Sequence, residues 1–435
     1  MDRRSFVTSL TAAAATAALP SDAANAVAPA PAESARGPTV PHTNIAIKTR
    51  YTPLPSLDAG VFERRLERAR QLTRDAGGDT LIATSGATNF AYLVGGDYGR
   101  SERLIALILP VDGPPTLVAP AFEVERVRRG SRIGATVRGW EEQEDPFALV
   151  RAVVRGSGVG GGRDTGTGIR AGSAAGTIVV EPKTDYWAAI ALGKALPEAR
   201  LIDGSNVFEQ LRLVKSPEEI TRMRRAIEIT EDAIAATFDA LKPGMRDVDV
   251  AKRVAEEHAK RGVTGGGLVQ FAAQSALPHG GTTGAKLAPE MVVLIDAGCD
   301  YQGYTSDITR TRWFGDAPPK RFREVYNLVH EAQDAAMARV RPGVPAQEID
   351  RAARAVITQG GYGEYFTHRL GHGMGMDGHE PTYMVEGNTR PLAPGYVFSV
   401  EPGIYMLGMW GVRLEDDYMC TESGGELLSR RAPTV

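Results

Sequence analysis

The sequence predicts an α+β fold in which an α/β domain precedes a second domain made of two pseudo-symmetric ααββ repeats. Its 435 residues are more than one ordinary domain needs. Up to about residue 208, short apolar runs alternate with amphipathic helical patterns, which is typical of an α/β domain. Beyond that point the chain matches itself, because one helical pattern ends in Pro243-Gly244 and another in Pro342-Gly343.

The first domain begins with a helix. Apolar residues recur at helical spacing from Phe62 to Ala76 and stop at Gly77-Gly78. Strand-like and apolar segments follow at residues 80–83, 104–109, 116–118, 177–180 and 187–196. This alternation predicts an α/β domain over residues 51–208.

A glycine-rich stretch interrupts this domain and carries a formal G-x-G-x-x-G pattern at residues 156–161. A dinucleotide-binding loop needs a strand before these glycines and a helix after them, whereas more Gly, Thr and Asp follow here. We therefore expect a surface loop and no nucleotide cofactor.

The repeat lies in the second domain, which we expect over residues 209–435. Ser216 and Pro217 predict the start of its first helix, and Glu219 can close a capping box. Each copy has the pattern of a helix, a Pro-Gly turn, a second helix and then strands. Two such units imply a pseudo-twofold domain with the sheet inside and the helices outside.

Two aspartates lie on strands of the first repeat. The apolar strand that begins at Met291 ends in Asp296, and the return strand carries Asp307. A hairpin turn centred between Tyr301 and Gln302 would place the two carboxylates directly opposite each other.

Two glutamates occupy the corresponding places in the second repeat. Glu401 follows the strand at residues 397–400, and Glu415 lies on the return strand that begins at Gly411. An odd-numbered loop around Gly408 puts this pair opposite as well. The pseudo-symmetry then brings four acidic side chains to one centre.

Four clustered carboxylates repel one another unless positive charge lies between them, and a pair of divalent cations supplies it. His372 adds one imidazole, and its neighbours Gly371 and Gly373 permit close backbone approach. Oxygen ligands with one nitrogen suit Mn²⁺, Co²⁺, Fe²⁺ or Zn²⁺. The sequence therefore predicts two divalent metal ions, with Mn²⁺ favoured.

The five residues, with their flanking motifs, resemble the dinuclear site of the pita-bread metallopeptidases, in the prolidase and aminopeptidase P branch of the creatinase/aminopeptidase P/prolidase family. By this resemblance Asp296 binds one ion, and Asp307 and Glu415 bridge both ions. His372 and Glu401 then bind the second ion.

The resemblance also implies a fold and an activity. Residues 209–435 would form a pita-bread catalytic domain, and residues 51–208 a creatinase-like N-terminal domain. The expected reaction is hydrolysis of the Xaa-Pro imide bond in dipeptides or short peptides, with Glu401 as general base. The family also suggests a homodimer or larger assembly.

Four further residues are candidates for roles around the site, with surface or core roles as the alternative for the last two, Arg413 and Tyr405. His279 and His379 resemble a pair of histidines that steadies the tetrahedral intermediate and shuttles protons. Arg413 would orient Glu415 or bind a substrate carboxylate, and Tyr405 would donate a hydrogen bond to the site. We expect His368 and His330 to be structural.

The chain departs from the family pattern after His379. It continues to Tyr383 without the arginine that many prolidases place there to receive the substrate carboxylate. This departure favours an aminopeptidase that acts on longer peptides, unless another arginine binds the carboxylate.

Two other classes of function remain open. A non-peptide substrate is one, because organophosphate hydrolases and dimethylsulfoniopropionate lyases of the same fold keep similar metal ligands. A metal-binding interaction protein without catalysis is the other.

The N-terminus predicts export. Arg3 and Arg4 precede a weakly apolar stretch and a small-residue run at 24–26, the order of a Tat-type signal peptide over residues 1–26. An Ala- and Pro-rich linker would follow at residues 27–50. We therefore expect a periplasmic protein that is not held in a membrane after signal cleavage.

Composition limits the partners. With 50 Lys and Arg against 53 Asp and Glu, the chain lacks the basic excess that nucleic-acid binding needs. Cys299 and Cys420 are most simply two buried thiols, with a single disulfide as the alternative.

Overall fold

The computed structural model describes residues 47–156 and 176–435. The predicted signal peptide, most of the predicted linker and most of the glycine-rich stretch lie outside these ranges.

The first half of the chain forms one mixed six-stranded sheet covered by helices. The strand order is β4-β3-β2-β1-β5-β6. The strands are β1 (Thr80–Thr84), β2 (Ala106–Pro110), β3 (Thr116–Pro120), β4 (Thr136–Trp140), β5 (Thr177–Val180) and β6 (Arg200–Asp203). The helices are α1 (Ala59–Asp75), α2 (Thr88–Val94), α3 (Val124–Gly130), α4 (Pro146–Val154), α5 (Tyr186–Ala195) and α6 (Ser205–Leu213). The predicted first helix and the α/β alternation are confirmed.

The second half contains two helix pairs, each followed by strands. The first repeat comprises α7 (Pro217–Asp239), α8 (Asp247–Lys260), β7 (Thr264–Phe271), β8 (Met291–Tyr301), β9 (Tyr304–Thr305) and β10 (Ile308–Phe314). The second comprises α9 (Lys320–Arg339), α10 (Ala346–Gln359), β11 (Gly371–Gly373), β12 (Glu380–Met384), β13 (Val397–Val400), β14 (Gly403–Met406), β15 (Trp410–Arg413), β16 (Asp416–Thr421) and β17 (Gly424–Leu427). At the start of α7, Ser216 and Glu219 form the predicted capping box.

The Pro-Gly turns show the predicted symmetry at the level of single hydrogen bonds. Gly244 and Gly343 both have a positive φ, of 86° and 83°, which glycine adopts without steric cost. The Gly244 N–H donates to the Leu287 carbonyl at 2.7 Å, and the Gly343 N–H donates to the Leu392 carbonyl at 2.8 Å. Equivalent turns therefore join equivalent helices in the two repeats.

The core of each repeat lies between its helix pair and its sheet. Apolar residues of α7 and α8 pack on β7 and β8, and those of α9 and α10 pack on the strands of the second repeat. Cys299 and Cys420 are both free and buried, so the two-thiol prediction is confirmed. Across the described ranges, no helix is both long and apolar enough to span a bilayer.

Candidate metal centre

The aspartate pair of the first repeat lies together, but in a different register from the predicted one. In the β8–β10 ladder Asp296 faces Thr309, and Asp307 lies in the break between β9 and β10. The prediction that the two aspartates are directly opposite is therefore wrong. The turn lies at Gln302-Gly303, where φ is 54° and 84°, one position later than expected.

This turn leaves the two aspartates diagonal to each other on one face of the hairpin, because a one-position shift of the turn moves the register by two residues. Diagonal neighbours on a sheet remain within reach of each other. Carboxylate oxygens of Asp296, Asp307 and Glu415 all lie within 4.8 Å of one another.

The glutamate pair of the second repeat has the predicted register. β14 and β15 join through a three-residue loop centred on Gly408, with Met406 paired to Trp410. The same register continues in β13 and β16, where Val400 faces Asp416. Glu401 and Glu415 occupy the short breaks between these paired strands, opposite each other.

The structure brings all five predicted ligand residues to one place. Three overlapping groups each keep their ligand atoms within 4.8 Å: Asp296 with Asp307 and Glu415; His372 with Glu401 and Glu415; and Asp307 with His372 and His379. Asp307, His372 and Glu415 each belong to two of the groups, so the donor atoms form one continuous cluster.

Burial and mutual repulsion disfavour the charged forms of these acids. Burial, with the nearby Asp296 charge, raises the pKa of Asp307 well above its usual value. Burial and the Asp307 charge do the same to the pKa of Glu415. For Glu401, burial and Asp296 raise the pKa to about 7, although Arg413 opposes them. Such a cluster fits divalent cations, which would supply the missing positive charge.

His372 is neutral, as an imidazole must be to bind a metal ion. Burial lowers its pKa to about 3, so the imidazole is neutral. Its Nδ1–H donates to the Gly373 carbonyl at 3.1 Å, which leaves Nε2 facing Glu401 at 3.4 Å and Asp307 at 3.7 Å.

The glycines beside His372 allow the backbones to meet. A Cβ on Gly371 would lie 2.0 Å from the Ser399 carbonyl oxygen, and one on Gly373 would lie 2.3 Å from that of Pro381. The expected close backbone approach is confirmed, and it fixes His372 between β12 and β13.

Arg413 is buried and binds Asp296 rather than Glu415. Its Nη2 lies 2.6 Å from Asp296 Oδ2, and its Nε donates to the Thr309 hydroxyl at 3.1 Å. The Thr309 hydroxyl in turn donates to Glu415 at 2.6 Å. Arg413 therefore orients one ligand residue directly and a second through Thr309.

Tyr405 binds residues of the site wall. Burial raises its pKa to about 12, so the hydroxyl keeps its proton. Arg413 Nη1 donates to this hydroxyl at 3.1 Å, and the hydroxyl lies 2.8 Å from His368 Nε2. Since His368 Nδ1–H donates to the Arg369 carbonyl at 2.7 Å, Nε2 accepts the Tyr405 proton.

A cavity of about 370 Å³ opens over the cluster. His279 and His379 both line it, as expected for residues that contact a substrate. The His379 ring stacks on His372 with ring centroids 3.7 Å apart. All the site residues predicted from the sequence therefore lie in the cavity wall or, for Tyr405, directly behind it.

Two further residues of the cavity wall have no role in the sequence prediction. His368, expected to be structural, lines the cavity and bonds to Tyr405. Arg369 also lines it, with Nη2 3.2 Å from His379 Nδ1 and its guanidinium 4.3 Å from the Tyr383 ring centroid. Nearness in sequence to His372 is the signal that could have identified both.

The two halves of the chain match two known family descriptions. Residues 65–214 match the Creatinase/Prolidase N-terminal domain, and residues 221–422 match Metallopeptidase family M24. A probable dipeptidase PepE from Mycobacterium tuberculosis is 37% identical over 372 residues, covering 84% of this chain and 94% of the relative. The chain belongs to metallopeptidase family M24. The predicted family and metallopeptidase class are thereby confirmed.

Solved structures of this family share the whole fold. Dipeptidase PepE from Mycobacterium ulcerans superimposes with a TM-score of 0.78 at 34% identity, covering 87% of this chain and 98% of the other. A prolidase from Thermococcus sibiricus gives a TM-score of 0.76 at 29% identity, covering 88% and 99%. This M24 chain therefore has a pita-bread domain after a creatinase-like N-terminal domain, as predicted. The domain limits at 51–208 and 209–435 stay predictions.

Proposed function

We propose that this M24 metallopeptidase is a two-metal Xaa-Pro dipeptidase. The observation that carries the proposal is the overlap of the three donor groups, which share Asp307, His372 and Glu415 within one cluster. The dipeptidase and prolidase names of its relatives favour the same activity.

The five residues fit two adjacent ions. In this proposal Asp296, Asp307, His372, Glu401 and Glu415 would together hold the two ions. Carboxylate oxygens with one neutral imidazole suit Mn²⁺ best, with Co²⁺, Zn²⁺ or Fe²⁺ as alternatives. When bound, the ions would acidify an attacking water and polarise the peptide carbonyl.

The protein's own side chains would do the proton transfers. Glu401 lines the cavity, its Oε1 accepts from the Ser399 hydroxyl at 3.2 Å, and it would accept a proton from water. His279 and His379 would donate to the developing oxyanion and to the imide nitrogen from the cavity wall. The prolyl nitrogen carries no hydrogen, so the site must recognise the ring by its shape.

Arg369 is our candidate for the carboxylate-binding arginine that the chain lacks between His379 and Tyr383. Of the two arginines in the cavity wall, Arg413 is bound to Asp296. Arg369 has no carboxylate ion-pair partner among the residues that the structure describes. We assign it to the free carboxylate of the substrate, which a guanidinium binds through paired hydrogen bonds. This assignment favours dipeptides over longer peptides.

The test of this function is hydrolysis of Ala-Pro, Ala-Pro amide and Ala-Pro-Ala by metal-loaded protein. The wild type is expected to cleave Ala-Pro fastest. The Arg369→Met change should lower kcat/KM for Ala-Pro about 10- to 100-fold, the cost of losing a charge-assisted hydrogen bond. The amide, which lacks the carboxylate, should change less than about threefold.

An Arg341→Met variant, at an exposed arginine of the α9–α10 turn, is the matched control. Equal losses on Ala-Pro and its amide would contradict the role of Arg369. Failure of the wild type on all three peptides would contradict the Xaa-Pro assignment. An organophosphate triester and dimethylsulfoniopropionate then test the non-peptide alternatives.

We also propose export to the periplasm and a homodimer. The twin arginines Arg3 and Arg4 and the small residues at 24–26 support export. The family resemblance supports the dimer.

A further inference from the structure

The His379 ring stacks on His372, with ring centroids 3.7 Å apart. The side chain is exposed, and its Nδ1 lies 3.2 Å from Arg369 Nη2. It lines both the active-site cavity and a second cavity of about 250 Å³ that reaches residues of β12 and α6. The position of the imidazole therefore depends on how residues 375–380 are fixed.

Glu380, the next residue, is anchored by two cations from the first half of the chain. Its side chain is 4% exposed. Arg212 donates to one carboxylate oxygen, and Lys215 Nζ lies 3.2 Å from the other. Burial alone would raise the pKa of Glu380, but the Lys215 and Arg212 charges hold that pKa below its usual value.

Asp377 anchors the other side of the histidine in the same way. It accepts hydrogen bonds from the Thr88 hydroxyl at 2.6 Å and from Lys183 Nζ at 3.0 Å. Arg212 Nη1 lies 3.0 Å from the same carboxylate. The Asp377 N–H donates to the Glu380 carboxylate at 3.0 Å, so the two acids that flank His379 are also hydrogen-bonded to each other.

One arginine thus bridges both acids that flank His379, and the cations and the threonine all come from residues 88–215. The buried part of this cluster is Glu380 with Arg212 and Lys215, so removal of the Glu380 charge leaves buried positive charge without its partner. The five proposed metal ligands take part in none of these contacts.

We infer that Arg212, Lys215 and Glu380 position His379 for catalysis, so that the end of α6 and the segment after it control the reactivity of the pita-bread domain. This inference rests on the proposed function, in which His379 acts on the substrate. Glu380 is then a positioning residue, since it reaches the substrate only through its neighbour. Displacement of a catalytic group by about 1 Å costs about 100-fold in rate.

The experiment is a double-mutant cycle with Glu380→Gln and His379→Ala, using Ala-Pro as substrate. Glu380→Gln is expected to lower kcat about 10- to 100-fold, with KM changed less than about threefold and the bound metal unchanged. In the His379→Ala background the same change should have less than about a twofold effect, because the group that it positions is gone. Equal losses in both backgrounds would overturn the inference.

Glu386→Gln is the matched control. Glu386 also pairs with an arginine, Arg351, at 2.7 Å, but the two side chains are 61% and 47% exposed. The control is expected to change kcat by less than about twofold, because exposed pairs contribute little. A loss as large as that of Glu380→Gln would overturn the inference.

Hydrogen exchange provides a readout that needs no activity. Glu380→Gln should speed exchange of the amides at 375–383 about tenfold or more relative to Glu386→Gln. Unchanged exchange would overturn the inference.

If Glu380→Gln does not fold, Arg212→Lys replaces it in both experiments. Lysine keeps one positive charge but cannot bridge both acids. A wild type that is inactive on Xaa-Pro peptides would defeat the proposed function, and exchange would still test the anchoring.

Discussion

Replacing Glu401 by glutamine is expected to lower kcat for Ala-Pro hydrolysis by about 10²- to 10⁴-fold, the range for loss of a general base. Glu401 lies opposite Glu415, and its Oε1 is 3.4 Å from His372 Nε2 and accepts from the Ser399 hydroxyl at 3.2 Å. Glutamine keeps the shape of the side chain and the hydrogen bond from Ser399, but it cannot accept a proton from water. Steady-state kinetics with metal content measured on the same samples gives the result.

Glu422→Gln is the control for this change, because Glu422 is an exposed residue of the β16–β17 turn. It should leave kcat within about twofold of the wild type. A Glu401→Gln enzyme that keeps its metal and loses less than about threefold in kcat would contradict the proposed role of Glu401.

Mn²⁺ affinity is expected to fall at least about tenfold between pH 8 and pH 6, because binding must displace protons from the carboxyl groups. Burial and Asp296 raise the pKa of Glu401 to about 7, so this group is mainly protonated at pH 6 and mainly ionised at pH 8. The raised pKa values of Asp307 and Glu415 act in the same direction. His372, with a pKa of about 3, is neutral throughout this range and does not compete. Calorimetric titration of metal-stripped protein at the two pH values measures the effect.

The matched variant is again Glu401→Gln. Glutamine does not titrate, so the variant should bind Mn²⁺ more weakly but with a smaller dependence on pH. A wild-type affinity that is the same at both pH values would contradict a carboxylate-rich binding site. Activity that survives exhaustive chelation would contradict the metal dependence of the reaction.

The local sequence patterns predicted the elements that position the site. The Pro-Gly turns, the capping box at Ser216 and the three-residue loop at Gly408 are short-range features, and each lies where the pattern indicated. The first hairpin differs because Gln302 adopts a positive φ, which is uncommon for a residue other than glycine. The shift still leaves Asp307 on the same face as Asp296, so the predicted cluster forms.

The local sequence patterns did not predict the long-range contacts. The bond between Tyr405 and His368 joins residues of different elements, and so do the ion pairs that Glu380 makes with Arg212 and Lys215. No periodicity or turn motif predicts such pairs, because they depend on how elements that are distant in sequence pack together. The sequence therefore predicted which acids and which histidine come together, but not the contacts of Glu380 beside His379.

The proposed reaction depends above all on two ions held by five side chains. Crystals of Mn²⁺-loaded protein, with diffraction data collected on either side of the manganese absorption edge, test it most directly. Two anomalous peaks are expected, one beside Asp296 and one beside His372 and Glu401, with Asp307 and Glu415 near both. A single peak, or peaks away from these residues, would contradict it.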